Sequence, residues 1–184
     1  MSPLHLDTPR LLLRPFTLTD TPAVQRLAGA VEVARTTLNV PHPYEDGMAE
    51  QWIERQQRPE NLAHTLNFAI TLRDSLELCG CIGLRINREQ AVGDLGYWMG
   101  LEFWNRGYCT EAAQAVIDAA FGTLGLKRVQ ASHLSSNPAS GRVMQKNGMK
   151  FEGITPNGAR RGDEFYDLLR YAISRSDWLD NSSD

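Results

Sequence analysis

The chain has 184 residues, enough for one domain with a sizeable core, and its net charge of −3 with scattered basic residues argues against a nucleic-acid partner. No stretch approaches the roughly 18 apolar residues of a membrane-spanning helix, and Met1 to Asp7 lacks the basic and apolar regions of a signal peptide, so no membrane is expected. Three cysteines, an odd number, suggest no disulfide framework, which favours a cytoplasmic setting.

Thr8-Pro9 precedes a short first strand, Arg10 to Arg14, which Pro15 stops. Thr19-Asp20 caps a helix with Pro22 in its first turn and Ala23, Val24 and Leu27 on its apolar side. Residues 35–44 read as irregular, because Pro41-His42-Pro43 holds the backbone extended. A second helix is predicted from about Glu45 to Gln57, around Met48, Trp52 and Ile53. Leu66 to Leu72 alternates as a strand does, and Arg73-Asp74-Ser75 turns it into a partner, Leu78 to Ile86. Cys79 and Cys81 point the same way on that partner. A lone C-x-C is poor evidence for zinc, so both read as core residues and no metal is expected.

The central stretch runs from Val92 to Leu124. Its first part, with Tyr97 and Trp98 and glycines near both ends, reads as a strand. Its last part carries Ala113, Val116, Ile117, Ala120 and Leu124 at helical spacing, the apolar stripe of a helix lying on a sheet. Between them sits Asn105-Arg106-Gly107-Tyr108-Cys109-Thr110. A helix start leaves N–H groups unpaired at the positive end of its dipole, a site for phosphate. Gly107 lets the backbone approach a ligand closely, and Arg106 adds a charge suited to phosphate oxygens. The loop matches neither the G-x-x-x-x-G-K-[ST] nor the G-x-G-x-x-G pattern, and many such turns bind nothing.

Arg128 to Leu134 reads as the next strand. Asn137 as cap and Pro138 in the first turn open a short helix that ends near Asn147-Gly148. Met149 to Ile154 and Glu164 to Ile173 read as two last strands joined by a loop over residues 156–162, and a polar tail with a frayed end follows from Ser174. The order predicts one α+β domain with a mixed sheet, ordered over about residues 8–173.

Three segments together resemble the GNAT superfamily of acetyl-CoA-dependent N-acetyltransferases, in the branch of RimJ and RimL. They are T-P-R-L-L-L-R-P-F near the start, G-D-L-G-Y-W-M with W-N-R-G-Y-C-T-E-A in the middle, and N-P-A-S-G-R-V-M-Q-K-N-G-M-K-F-E-G afterwards. The resemblance implies a mostly antiparallel sheet of about seven strands with about four helices, and two central strands that splay apart. It places the pantetheine arm of acetyl-CoA along Tyr97, Trp98 and Met99, and the pyrophosphate on Arg106, Gly107, Tyr108, Cys109 and Thr110. The thioester would lie in the gap between the central strand and Arg128–Leu134. Trp104 and Cys109 depart from the usual loop pattern Q/R-x-x-G-x-G/A, but Cys109 is small enough to keep the approach open. The branch's substrates are amines, at protein N-termini or on small molecules, and a homodimer is compatible with it. A non-catalytic acyl-CoA-binding module is the alternative reading.

Amine attack on a thioester needs a neutral amine, a stabilised oxyanion and a protonated leaving thiolate. Where many members have a tyrosine as the acid, seven residues after the asparagine, this chain has Met144, so Ser140 is the expected donor to sulfur. Ser140 equally suits local backbone groups in a helix's first turn. Asn137 is expected to contact the cofactor, or only to cap its helix. Asp94 shares a strand face with Gly96 and Trp98, and the resemblance puts an acid of this strand near the acceptor amine. Asp94 is therefore expected as base, with a buried salt bridge to Arg85 or Arg142 as the alternative. His133 is a second candidate base or a packed core residue, and His42 either borders an acceptor pocket or rides a rigid loop. Cys109 at a helix start is either a reactive thiol or a small spacer.

Overall fold

The computed structural model describes residues 4–181. Eight strands form one sheet: β1 (Leu6–Asp7), β2 (Leu11–Pro15), β3 (Thr65–Leu72), β4 (Leu78–Asn87), β5 (Val92–Met99), β6 (Arg128–Leu134), β7 (Lys150–Arg161) and β8 (Glu164–Ser174). Their order in space is β1-β2-β3-β4-β5-β6-β8-β7, antiparallel throughout except between β5 and β6. The helices are α1 (Thr21–Ala28), α2 (Val31–Thr36), α3 (Met48–Gln56), α4 (Pro59–Leu62), α5 (Tyr108–Gly122), α6 (Pro138–Lys146) and α7 (Arg175–Asn181).

Helix α5 lies on one face of the sheet because its inner stripe is mostly alanine. Ala112, Ala113, Val116, Ile117 and Ala120 are all buried, and small side chains let the helix come close. On the other face α1 seats Val24 and Leu27, and Trp52 of α3 meets the Phe16 ring edge-on at 4.9 Å. The buried middle of β3, Phe68 to Ile70, and the first part of β4, Leu78 to Leu84, lie between these layers and are apolar, Cys79 and Cys81 included.

The predicted central elements hold, and the differences have local causes. Helices α2 and α4 are too short for periodicity to show. Asp20 does not cap α1 with its side chain, because that carboxylate is held by the Arg14 guanidinium (2.7 Å) and the Thr17 N–H (2.8 Å). The expected loop over residues 156–162 is mostly strand. The pairing with β8 shifts between Thr155 and Ala159, so Pro156 and Asn157 sit in a bulge, with the Asn157 N–H donating to Asp167 Oδ1 (2.8 Å). The strand turns instead after Arg161, where Gly162 has φ +57°. The tail from Ser174 forms α7, whose Trp178 packs at 5.4 Å from Phe121 and donates to Asp118. Residues 182–184, where a frayed end was expected, lie outside the described residues.

Candidate active site

The site begins where the sheet opens. Strand β5 pairs with β6 at only three positions, Val92↔Arg128, Gly93↔Val129 and Asp94↔Gln130. Beyond them β5 runs on to Met99 and β6 to Leu134 without each other, so the two strands splay as the resemblance implied. The Gly100 N–H donates to Cys79 O (2.8 Å), which sets the alternation of the β4–β5 ladder. That alternation points the backbone groups of Trp98 toward β4 and those of Tyr97 and Met99 toward the gap. The Met99 carbonyl accepts from Trp104 Nε1 (2.8 Å), which ties the following loop to the strand end.

At the end of β5 the chain turns into α5 through Gly107, whose φ of +78° only glycine adopts without strain. The N–H groups of Tyr108, Cys109 and Thr110 precede the first helical bond, Glu111 N–H to Gly107 O, and no side chain of the cap residue serves as their partner. Arg106 is exposed beside them. Arg10 is a second cation here that sequence reasoning missed. Its guanidinium stacks 4.7 Å from the Tyr108 ring, donates to Arg106 O (3.0 Å) and pairs with Glu111 (2.6 Å). Glu111 also accepts from the Thr8 hydroxyl and the Arg10 N–H. Burial pulls the Glu111 carboxyl upward, but these hydrogen bonds outweigh it and hold the group below the usual range. A groove of about 820 Å³ leads from Gly107 along the outer side of α5, bordered by the N-terminal segment and by Lys146 and Asn147. An uncapped helix start, a left-handed glycine and two nearby arginines fit a pyrophosphate.

Cys109 sits in the same first turn. Burial pushes its thiol up to about 12, so at neutral pH it is protonated, which speaks against a reactive thiolate. Among the described residues no group of three or more His, Cys, Asp or Glu side chains converges on a metal-sized site.

Across the gap stands α6. Asn137 caps it by accepting from the Ser140 N–H (3.3 Å), while its amide donates to Thr36 O (3.0 Å). Both ends of the Asn137 side chain are thus engaged within the protein. The Ser140 hydroxyl lies 3.0 Å from Tyr97 Oη, so Ser140 is joined directly to β5. Tyr97 was readable only as a strand aromatic, although its odd position sets it opposite Asp94 and Trp98. His133 is buried, with Nδ1 2.8 Å from Leu134 O and its ring stacked on Tyr171.

Asp94 and Trp98 occupy the other face of the sheet. Asp94 belongs to the last closed β5–β6 pair, accepts from Gln130 Nε2 (2.9 Å) and lies 3.4 Å from the Arg85 guanidinium. Arg85 is one of the two arginines expected as its partner, but the pair is not buried, since the Asp94 side chain is 43% exposed. The Trp98 ring lines a small enclosure of about 50 Å³ with Val24, Val40, Tyr44 and Trp52. His42 is exposed, while its neighbours Pro41 and Tyr44 line the enclosure.

A family model described as "Acetyltransferase (GNAT) domain" matches residues 10–150. The chain belongs to the GNAT acetyltransferase family. Among its relatives is the N-acetyltransferase YnaD of Bacillus subtilis (strain 168), 30% identical over 175 residues, covering 95% of this chain and 99% of that one. A GNAT-family acetyltransferase from Bacillus anthracis superposes with a TM-score of 0.83 at 26% identity, over 94% of this chain and 99% of that one. RimL, solved with coenzyme A, shares the fold with a TM-score of 0.84 at 16% identity, over 93% and 98% of the two chains. The protein is therefore an acetyl-CoA-dependent N-acetyltransferase. Among the described residues no helix is long and apolar enough to cross a membrane.

Proposed function

We propose that this GNAT enzyme transfers acetyl directly from acetyl-CoA to a primary amine, at a protein N-terminus or on a small molecule. The opening of the sheet beyond Asp94↔Gln130 carries the reading, because it brings three chemistries together. At one end the α5 N-terminus, Arg106 and Gly107 suit the pyrophosphate. Along the open edge the backbone of Tyr97 and Met99 suits the amide groups of the pantetheine arm, and a strand N–H suits the oxyanion. Across the gap Ser140 presents a hydroxyl.

Acetyl-CoA supplies an activated acyl group. The amine nitrogen forms a bond to the carbonyl carbon, the carbon–sulfur bond breaks, and the sulfur takes a proton from the Ser140 hydroxyl, which recovers one from water as the thiol leaves. Asp94 takes the proton lost by the amine, directly or through water. The enclosure beside Trp98, on the face that carries Asp94, suits a small apolar part of the acceptor. The three free thiols are in keeping with the reducing cytoplasm. The test is an acceptor panel of N-terminal peptides, polyamines and aminoglycosides, monitored by release of free thiol. Turnover with at least one primary amine is expected. Acetyl-CoA binding without thiol release from any amine would overturn the reading.

A further inference from the structure

The Tyr97 side chain crosses from β5 to the first turn of α6, where its Oη lies 3.0 Å from both Ser140 Oγ and the Ser140 carbonyl oxygen. A carbonyl only accepts, and a phenol has one proton to give. Two hydrogen-bond patterns follow. In one, Tyr97 donates to the Ser140 carbonyl and the serine hydroxyl donates back to Tyr97. In the other, Tyr97 donates to Ser140 Oγ, and the serine proton is left for another acceptor.

The backbone of Ser140 is fixed from two sides. Its N–H is held by Asn137 Oδ1, and the next residue, Gly141, is pressed against His133, where an added Cβ would lie 2.7 Å from Nε2. What remains to be set is the hydroxyl rotor. A serine in a first turn otherwise bonds to nearby backbone groups of its own helix. We propose that Tyr97 is a positioning residue for acetyl transfer. It holds the Ser140 hydroxyl at the gap and, by changing from the first pattern to the second, frees its proton for the leaving sulfur. This rests on the reading of Ser140 as the donor. Burial pushes the Tyr97 phenol upward, so it stays a donor throughout the neutral range.

The test is a double-mutant cycle on kcat and on KM for acetyl-CoA, with the melting temperature measured alongside. Ser140→Ala should lower kcat by at least about tenfold. Tyr97→Phe should lower kcat roughly three- to tenfold, with KM for acetyl-CoA within about twofold of the parent. Added to Ser140→Ala, it should lower kcat no further. Ser140→Thr keeps the hydroxyl and should remain sensitive to Tyr97→Phe. If Ser140→Ala is slow while Tyr97→Phe matches the parent, Ser140 acts without Tyr97 and the proposal is wrong, although Ser140 stands as the donor. Falls that multiply in the double variant would show that Tyr97 acts through another group. A parental rate in Ser140→Ala would remove the donor reading itself.

Discussion

Strand β5 has two edges of the same length and composition, and they end differently. Toward β4 it is paired from Gly80↔Met99 to Asn87↔Val92, whereas toward β6 it is paired only as far as Asp94↔Gln130. The open edge does not come from a poor partner strand. Strand β6 pairs along its whole length with β8, from Arg128↔Ser174 to Leu134↔Leu168. It follows β8 away from β5, and Tyr97 with the first turn of α6 stands in the opening. The closed edge joins neighbours in sequence through a tight turn at residues 88–91, while the open edge joins strands separated by all of α5. Within one strand, what faces β4 holds the sheet, and what faces the gap has no strand partner beyond Asp94.

The largest expected effect lies at the last closed pair. Asp94→Asn keeps the shape and the reach to Gln130 but removes the charge. If Asp94 takes the amine proton, kcat falls roughly 10²–10⁴-fold while acetyl-CoA still binds. The lost rate should partly return at high pH, where more of the acceptor is already neutral. An unchanged rate and pH profile would leave Asp94 as a pin between Arg85 and Gln130, a feature of the closed edge alone.

The next effect lies where the open edge meets α5. Gly107→Val should weaken acetyl-CoA binding at least tenfold, about 1.4 kcal/mol, by calorimetry. The loop is exposed, yet the left-handed φ of +78° means that valine is also strained there, so stability should fall by roughly 1–3 kcal/mol. Gly107→Asn separates the two effects, since asparagine tolerates this conformation better while still adding a side chain beside Arg10. Parental affinity in both variants would remove the phosphate site from this loop.

Much of this was legible in the sequence because it is local. The strand–loop–helix unit from Val92 to Gly122 announces itself by aromatic residues, a glycine and a helical stripe within thirty-odd positions. The Asn137 cap could be read for the same reason. What could not be read is contact between distant segments. Arg10 reaches Arg106 and Glu111 across about a hundred residues, and Tyr97 reaches Ser140 across 43. Alternation places Tyr97 on a face, but only the fold brings α6 to that face. The bulge at Pro156–Asn157 was misread as a loop because a bulge and a turn use the same residues, and the register with β8 decides between them.

The smallest expected effect concerns Glu111, which fastens the N-terminal segment to the start of α5. Its side chain is 16% exposed and accepts from Thr8, from the Arg10 backbone and from the Arg10 guanidinium. Glu111→Gln keeps one acceptor oxygen and loses the charge, so stability at pH 7 should fall by about 1 kcal/mol, or a few degrees in Tm. Arg10 is about half exposed, which discounts its share and makes part of the effect sensitive to salt. The sign with pH follows from the lowered carboxyl of the folded state. Its stabilisation is fully present above the unfolded carboxyl's pKa, roughly 4.3, and is lost as the pH falls through the lower folded value. Parent and variant should therefore differ at pH 7 and converge in acid, measured as Tm against pH. A difference that persists unchanged to pH 3 would mean that shape, not charge, fastens the segment. Because Arg10 also holds Arg106 O, the variant should bind acetyl-CoA slightly more weakly at neutral pH. Loss of stability with no change in binding would show that the latch serves the closed, structural side of the comparison only.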